Sequence, residues 1–473
     1  MKKSSEIFQS LPFYLFAVGV FLLIVCQDIF SNGMFLDGLI YSTVSKNLAN
    51  GIGTFWNPHF SSTFMSEFHE HPPLAFGIQS IFFTVLGESR FIDKLYSLVT
   101  LLIVGLIILK IWKTLGYKYG WFPLFILLIT PTVFWTSYNN LLENTLTIFT
   151  SLSVLFYLKN QKNKNYYFLI LSGFMLSLGF LTKGFVAFFP WTFPFLLWIF
   201  SKQKSLGKMM GDCVGLLFFT LAPLLLLILF FPVPRLSLHT YIDNQVINSI
   251  KNVVTVDSRF DIIKRMFDEL IPAAGLCVLF LVWGWIRKSS LIFVKENSKK
   301  ALVFIFLGLT GVFPIMISMK QSGFYILPTY PFFAIGAGIL MHPSLDSIFI
   351  NMNYRSKGFL FFKWIGYGIF FIGIILSIYF SDRYSRDMIK IKDTYSILPE
   401  IPKGSIININ PDMFEDWSLH GYFGRFKNIS LDPDLNNSRQ FLLITNENYS
   451  DTLGRNYNMV KLNTADYKLF KKK

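Results

Sequence analysis

Apolar runs of roughly 20 residues, the length a helix needs to cross a bilayer, recur along this chain and are separated by short polar turns. They predict membrane helices near 11–30, 91–111, 121–137, 139–158, 166–182, 185–200, 211–231, 268–286, 301–317, 324–341 and 364–380, about 11 in all by length. Lys2 and Lys3 precede the first run, and Ser31-Asn32-Gly33 makes a poor cleavage site, so the run reads as an uncleaved helix with its N-terminus in the cytoplasm. Two patterns between the first and second runs differ. Leu39, Ile40, Val44 and Leu48 recur at helical spacing after Asp37 and stop at Gly51 and Gly53. Residues 72–86 are apolar but too short to span, with Pro72 and Pro73 expected in a first helical turn, where a missing amide donor costs little. Both read as interfacial helices in a first outer loop, residues 31–90. Beyond the last run the chain turns polar, and alternating stretches such as "GSIININ" and "FLLIT" read as strands. The expected organisation is an α-helical polytopic membrane domain, residues 1–380, followed by a small extracytoplasmic α/β domain, residues 381–473.

Charge orients these helices. Every second turn is basic: Lys110/Lys113/Lys118, Lys159/Lys162/Lys164, Lys202/Lys204/Lys208, Arg287/Lys288 and Arg355/Lys357/Lys363, as expected of cytoplasmic turns. The short turns on the other side carry one lysine in each of two places, Lys183 in "FLTKGF" and Lys320 in "SMKQSGFYILPTYP". Composition agrees, with 53% hydrophobic and only 15% charged residues, against roughly 25% charge in soluble domains. A net charge of +15 would suit nucleic acid, but the basic residues lie in short groups between apolar runs, which excludes that partner in favour of membrane lipids. Cys26, Cys213 and Cys277 all sit within apolar runs and show neither disulfide nor metal spacing.

An acidic residue after the first membrane helix, a surface helix ending in glycine, "HEHPPL", "LTKG" and then Lys-x4-Tyr-x2-Pro-x-Tyr-Pro form an ordered set. The set resembles the polyprenyl-phosphate-sugar-dependent glycosyltransferases of the GT-C superfamily, family 39, among them the protein O-mannosyltransferases and the lipid A aminoarabinose transferases. The resemblance covers roughly residues 30–335. It implies a catalytic carboxylate at Asp37. Many such enzymes carry a second acid next to it, where this chain has Gly38. Glu70 matches an acid of the pattern, and His71 matches the residue before the paired prolines in the mannosyltransferase version, where the aminoarabinose transferases carry Lys. Lys183 matches the Lys-Gly turn, and Lys320 with Tyr325 the late outer turn. The resemblance implies a lipid-phosphate sugar donor and no nucleotide.

The chemistry asks for the same residue types. A departing lipid phosphate needs cations where charge develops, which Lys183 and Lys320 supply; the other reading of each is a long side chain snorkelling to the interface. Arg235 in the outer loop 232–267 is a further candidate substrate-binding residue, and His239 near it reads as an ordinary solvated loop histidine or, alternatively, as a metal ligand or phosphate contact. A hydroxyl acceptor needs a carboxylate to take its proton. Asp37 fits as that base and equally as an N-cap; Glu70 fits as the base or as an orienter of the sugar. Direct displacement with one base predicts inversion, unlike the paired carboxylates of retaining hydrolysis. Glu143 enters the membrane from the outer side, where a carboxylate needs a partner such as Lys183. His69-Glu70-His71 offers zinc-type ligands, but three consecutive residues converge poorly on one ion, and no cofactor is required. The competing class is a transporter or flippase of lipid-linked sugars, which calls for ionisable groups near the midplane on broken helices. Here they gather at one face. The expected setting is a bacterial inner membrane with the site towards the periplasm and a lipid, protein or glycan acceptor.

Overall fold

The computed structural model describes residues 2–201, 204–286, 295–350, 352–446 and 456–473. In chain order its helices are α1 (Lys2–Val25), α2 (Leu36–Ala49), α3 (Leu74–Leu86), α4 (Ile92–Thr114), α5 (Trp121–Leu128), α6 (Pro131–Thr136), α7 (Leu142–Asn163), α8 (Tyr167–Lys183) and α9 (Phe193–Ser201). They continue as α10 (Leu206–Phe230), α11 (Pro232–Tyr241), α12 (Asn248–Lys251), α13 (Asp261–Ile286), α14 (Lys295–Val312), α15 (Tyr330–Phe349), α16 (Lys357–Tyr379), α17 (Met388–Ile397) and α18 (Trp417–Lys427). This is an α-helical polytopic membrane protein with a small C-terminal sheet domain. Among the described residues, seven helical runs are long and apolar enough to cross a membrane: Ile92–Thr114, Tyr167–Ser201, Leu206–Phe230, Asp261–Trp283, Glu296–Ile317, Gly323–Phe349 and Lys357–Tyr379.

The differences from the expected spans have local causes. The run at 121–137 is broken because Pro131 starts a new helix and holds Thr130 extended, at φ −71° and ψ 124°. The span expected at 139–158 begins at Leu142 and is studded with buried Asn144, Thr145, Thr147, Thr150, Ser151 and Ser153, which lower its apolar character. The spans expected at 166–182 and 185–200 follow one another through a 3₁₀ stretch, Gly184–Thr192. The lysine-rich turns fall between α4 and α5, α7 and α8, α9 and α10, and α15 and α16; Lys202, Arg287 and Lys288 lie outside the described residues.

The chain forms two compact units. The first comprises residues 1–26, 98–137 and 142–379. Its core is built by residues such as Ile108, Phe122, Leu155, Leu176, Phe304, Leu307, Ile335 and Ile339, all fully or nearly fully buried, and α1 packs along α16.

The second unit comprises residues 27–97, 138–141 and 380–473, so the first outer loop groups with the C-terminal segment. A five-stranded mixed sheet is built from β1 (Ile406–Ile409), β2 (Ser430–Asp432), β3 (Phe441–Thr445), β4 (Tyr457–Met459) and β5 (Tyr467–Lys472) in the order β2-β1-β3-β5-β4. β1 runs parallel to β2 and β3, and β5 antiparallel to β3 and β4. The two strand segments read from the sequence are β1 and β3. Ile407, Ile409, Leu419, Phe423, Leu431, Leu443 and Leu469 form the core between sheet and helices.

α18 also packs against α2, and buried charge fixes the pair. The Arg425 Nε donates to Asp93 Oδ2 at 3.1 Å and to Ser42 Oγ at 2.8 Å, Nη2 to the Ser89 carbonyl at 2.9 Å, and the guanidinium lies 4.7 Å from the Phe83 ring. Lys46, fully buried, donates from Nζ to the carbonyls of Gly424 (3.1 Å) and Arg425 (2.8 Å). Residues 38–47 of α2 are buried without interruption, so the polar face expected to lie open at a membrane surface is covered. α3 retains the expected exposed apolar face in Ile81, Val85 and Leu86, while Pro73 precedes its first turn instead of entering it.

Burial holds the Lys46 ammonium down to about 7, against an ordinary value of 10.5, with nearby Glu88 opposing the shift. Because the folded value is the lower one, the cost of burying the charge is complete below about pH 7 and is relieved as pH rises from there towards 10.5. The second unit is therefore expected to gain stability between pH 7 and 9, by at most about 1.4 kcal/mol per pH unit from this group. Urea titrations of the wild type and of Lys46→Met at several pH values check this; an equally steep rise in the variant would remove Lys46 as its source.

Candidate active site

Asp37 lies in the first turn of α2, one residue inside the helix. The N-cap position belongs to Phe35, and no side chain caps it; the N-cap reading of Asp37 is thereby corrected. The helix mouth is fixed by the segment 138–141. Asn139 Oδ1 accepts from the Phe35 amide at 2.7 Å, and Asn140 Nδ2 donates to the Gly38 carbonyl at 3.0 Å. Asn140 takes the left-handed conformation, φ +51°, which asparagine tolerates better than most residues. Its Oδ1 accepts from Gln79 Nε2 of α3 at 2.9 Å, and Gln79 in turn accepts from Ser45 Oγ at 3.0 Å. α2 and α3 are thus joined through one buried amide network.

Gly38 has a reason in this packing. A Cβ at that position would stand 1.9 Å from the Asn139 carbonyl oxygen. A second acid beside Asp37 is sterically excluded, and the half-buried Asp37 carboxylate stands without it.

Glu70 and His71, both half-buried, precede α3. His71 Nε2 lies 3.0 Å from the Tyr41 hydroxyl, and the two rings meet edge to face with centroids 5.6 Å apart. His69 Nε2 lies 3.9 Å from Glu67, and burial holds its imidazole below the ordinary value. Among the described residues no three His, Cys, Asp or Glu side chains are grouped to hold a metal ion.

In the first unit, Lys183 closes α8 and Gly184 follows at φ +77°. Glycine is needed there twice over: the backbone is left-handed, and a Cβ would stand 1.9 Å from the Tyr241 hydroxyl. The Lys183 ammonium forms an ion pair with the fully buried Glu143 and lies 4.9 Å from the centre of the Tyr325 ring and 5.6 Å from that of Phe324. The pairing expected of Glu143 is therefore present.

Lys320 is half-buried, and among the described residues its ammonium forms no ion pair. Its loop is set by buried Gln321, whose Oε1 accepts from the Ile262 amide at 3.0 Å and whose Nε2 donates to the carbonyls of Arg259 (3.1 Å) and Ser318 (3.0 Å). Arg235 stands exposed on α11, where His239 pairs with Asp243 at 2.8 Å.

A family model described as dolichyl-phosphate-mannose-protein mannosyltransferase matches residues 70–229, which include Glu70, Glu143 and Lys183. Among curated proteins no sequence match is found. The structure of ArnT from Cupriavidus metallidurans bound to undecaprenyl phosphate superposes with a TM-score of 0.67 at 15% identity, over 96% of this chain and 97% of that one. The chain carries the GT-C glycosyltransferase fold. The same ArnT in the apo state gives a TM-score of 0.65 at 14% identity, covering 96% of each chain.

The sequence pattern singled out Asp37, Glu70, Lys183 and Lys320, but not the amides that hold the mouth of α2. Asn139, Asn140 and Gln79 are single amides in apolar surroundings, and only "YNN" just ahead of Glu143 hinted at a polar turn.

Gly38→Ala should force α2 away from Asn139. Overpacking of this kind costs about 1–3 kcal/mol, so thermal melting of the purified protein should fall clearly below wild type. An unchanged melt would show that the helix mouth is not held against Asn139.

Proposed function

We propose that this protein is an integral-membrane glycosyltransferase that moves a sugar from a polyprenyl-phosphate donor to a hydroxyl acceptor on the non-cytoplasmic face, with inversion. The observation that carries this is Asp37: a half-buried carboxylate in the first turn of a helix whose mouth is tied down by Asn139 and Asn140. The fold supports the donor class, since a protein with this architecture is seen bound to undecaprenyl phosphate.

In this reading the acceptor oxygen forms a bond to the anomeric carbon while the bond from that carbon to the phosphate oxygen breaks. The acceptor proton passes to Asp37, and polyprenyl phosphate leaves as the anion. Asp37 stands in the first turn of α2, at the positive end of that helix's dipole. Glu70, ahead of α3, orients the sugar, with His71 braced by Tyr41. Lys320 meets the leaving phosphate. Lys183 acts differently from a free cation, because Glu143 already matches its charge; it contributes as a dipole held by Tyr325. Arg235 is the outer contact for the lipid-borne phosphate. The scheme uses no metal.

Transfer from a polyprenyl-phosphate sugar and donor affinity, measured on the same preparations, test these roles. Asp37→Asn should retain donor binding and lose a factor of about a hundred to ten thousand in rate. Lys320→Met should instead weaken donor binding by about 1.5–3 kcal/mol, the worth of a hydrogen bond to a charged group. Normal turnover in Asp37→Asn together with collapse in Glu70→Gln would move the base to Glu70, and donor binding without turnover by the wild type would favour a carrier of lipid-linked sugars.

The placement of the site is tested in cells. Single cysteines introduced next to Asp37, Lys183 and Lys320 should react with an impermeant thiol reagent in intact cells, while one in the turn at Lys162 should react only after lysis. Labelling in the opposite sense would reverse the topology.

A further inference from the structure

A cavity of about 660 Å³ opens in the first unit among helix ends that carry lysine-rich turns, far along α7 and α8 from Glu143 and Lys183. It lies where the C-terminal ends of α7 and α9 meet the N-terminal ends of α10 and α14. Such a volume falls in the range of about 300–1,000 Å³ found for ligand sites. None of the residues assigned to sugar transfer lines it.

Its floor is Asp212, nearly fully buried on α10. One carboxylate oxygen, Oδ2, accepts from the Tyr157 hydroxyl at 2.7 Å, from Gln161 Nε2 at 3.1 Å and from Lys204 Nζ at 2.5 Å. Three donors on one acid anchor Lys204 at the rim and pin α10 to α7. Lys164 and Lys208 also line the cavity, and among the described residues neither forms an ion pair. Lys300 lines it too and pairs with Glu296 at 2.8 Å. The rim thus carries an excess of positive charge. The walls between are apolar, with Leu158, Leu197, Trp198 and Phe304.

Ammonium groups at the mouth, aliphatic and indole walls within, and a position at the ends of membrane helices match one ligand chemistry. We propose that this cavity binds the phosphate head of an anionic phospholipid, with Lys164 and Lys208 on the phosphate and the first acyl carbons along Trp198 and Leu158. A basic pocket between membrane helices is a recurring solution for lipid headgroups, and each lysine near the surface contributes about 1 kcal/mol. The buried Asp212 keeps Lys204 from collapsing into the site. A zwitterionic headgroup would bring its own cation among these lysines and is disfavoured. The site is independent of the transfer reaction, and it stands or falls separately from that reading.

The full chain, purified and reconstituted in nanodiscs of mixed phosphatidylglycerol and phosphatidylcholine, provides the test, with retained lipid counted by native mass spectrometry after release. The wild type should retain phosphatidylglycerol in preference to phosphatidylcholine. Lys164→Gln and Lys208→Gln should each lower that preference roughly fivefold, the equivalent of about 1 kcal/mol. Lys159→Gln and Lys162→Gln, in the same turn but outside the cavity lining, should leave it unchanged and control for general surface charge. Equal retention of the two lipids by the wild type, or equal losses in all four variants, would overturn the proposal. Displacement of the bound lipid by millimolar inorganic phosphate, where the same concentration of chloride fails, would reassign the site to a free anion and overturn it as a lipid site.

Discussion

A guanidinium removed from water must find partners for its fixed fork of donors, and Arg425 finds them in four separate parts of the chain. Its contacts reach Ser42 on α2, Asp93 at the start of α4, the Ser89 carbonyl before it and the ring of Phe83 on α3. Desolvating such a pair offsets most of its Coulombic attraction, so its main effect is on geometry: with either partner missing, the other is left as an uncompensated buried charge, at a cost of about 3–5 kcal/mol. α2 is thereby held by a helix of the C-terminal segment. Lys46 repeats the device one turn further along, capping the last carbonyls of α18 with its ammonium. These contacts and the amides at its mouth tie down the helix that carries Asp37 within the second unit.

The first unit handles charge in the same manner at a different place. Glu143, wholly buried, is matched by Lys183, whose ammonium lies near the rings of Tyr325 and Phe324. At the far end of α7, Asp212 of α10 is satisfied by three donors, Tyr157 and Gln161 of α7 and Lys204. In each case an ionisable group that would be expensive in hydrocarbon is matched by partners from other parts of the chain. Such groups fix the register between helices, which apolar packing alone leaves open to sliding.

Much of this was legible in the chain. The apolar runs, the lysine-rich turns, the two short helices of the first outer loop and the strands of the C-terminal domain all follow from local periodicity, which a sequence displays directly. Asp37 and Lys183 stood out because each sits where its residue type is unexpected. What escaped notice was long-range. Arg425 and Asp93 are separated by 332 positions, and neither residue announces its partner; Arg425 looks like any surface cation of an amphipathic helix. The significance of Gly38 was hidden for a related reason, since a missing side chain becomes meaningful only when the Asn139 carbonyl that would strike it is in view. The N-cap reading of Asp37 failed by two residues, the cap being Phe35, a margin within which helix ends are decided by tertiary contacts.

The partnership of α2 with α18 also imposes an order in time. α2 is among the first segments to leave the ribosome, and the arginine that secures it is among the last. At roughly 5–20 residues per second, the 332 positions between Asp93 and Arg425 represent an interval on the order of 20–60 seconds. Through that interval the early helix has its buried polar row, Ser42, Ser45, Lys46 and Asn47, without the C-terminal surface that covers part of it. A chain whose synthesis stops before residue 425 can insert its membrane helices in full and still lack the clamp on the helix that bears its foremost carboxylate. Completion of translation thus becomes a structural checkpoint, written into the protein by the distance between two charges.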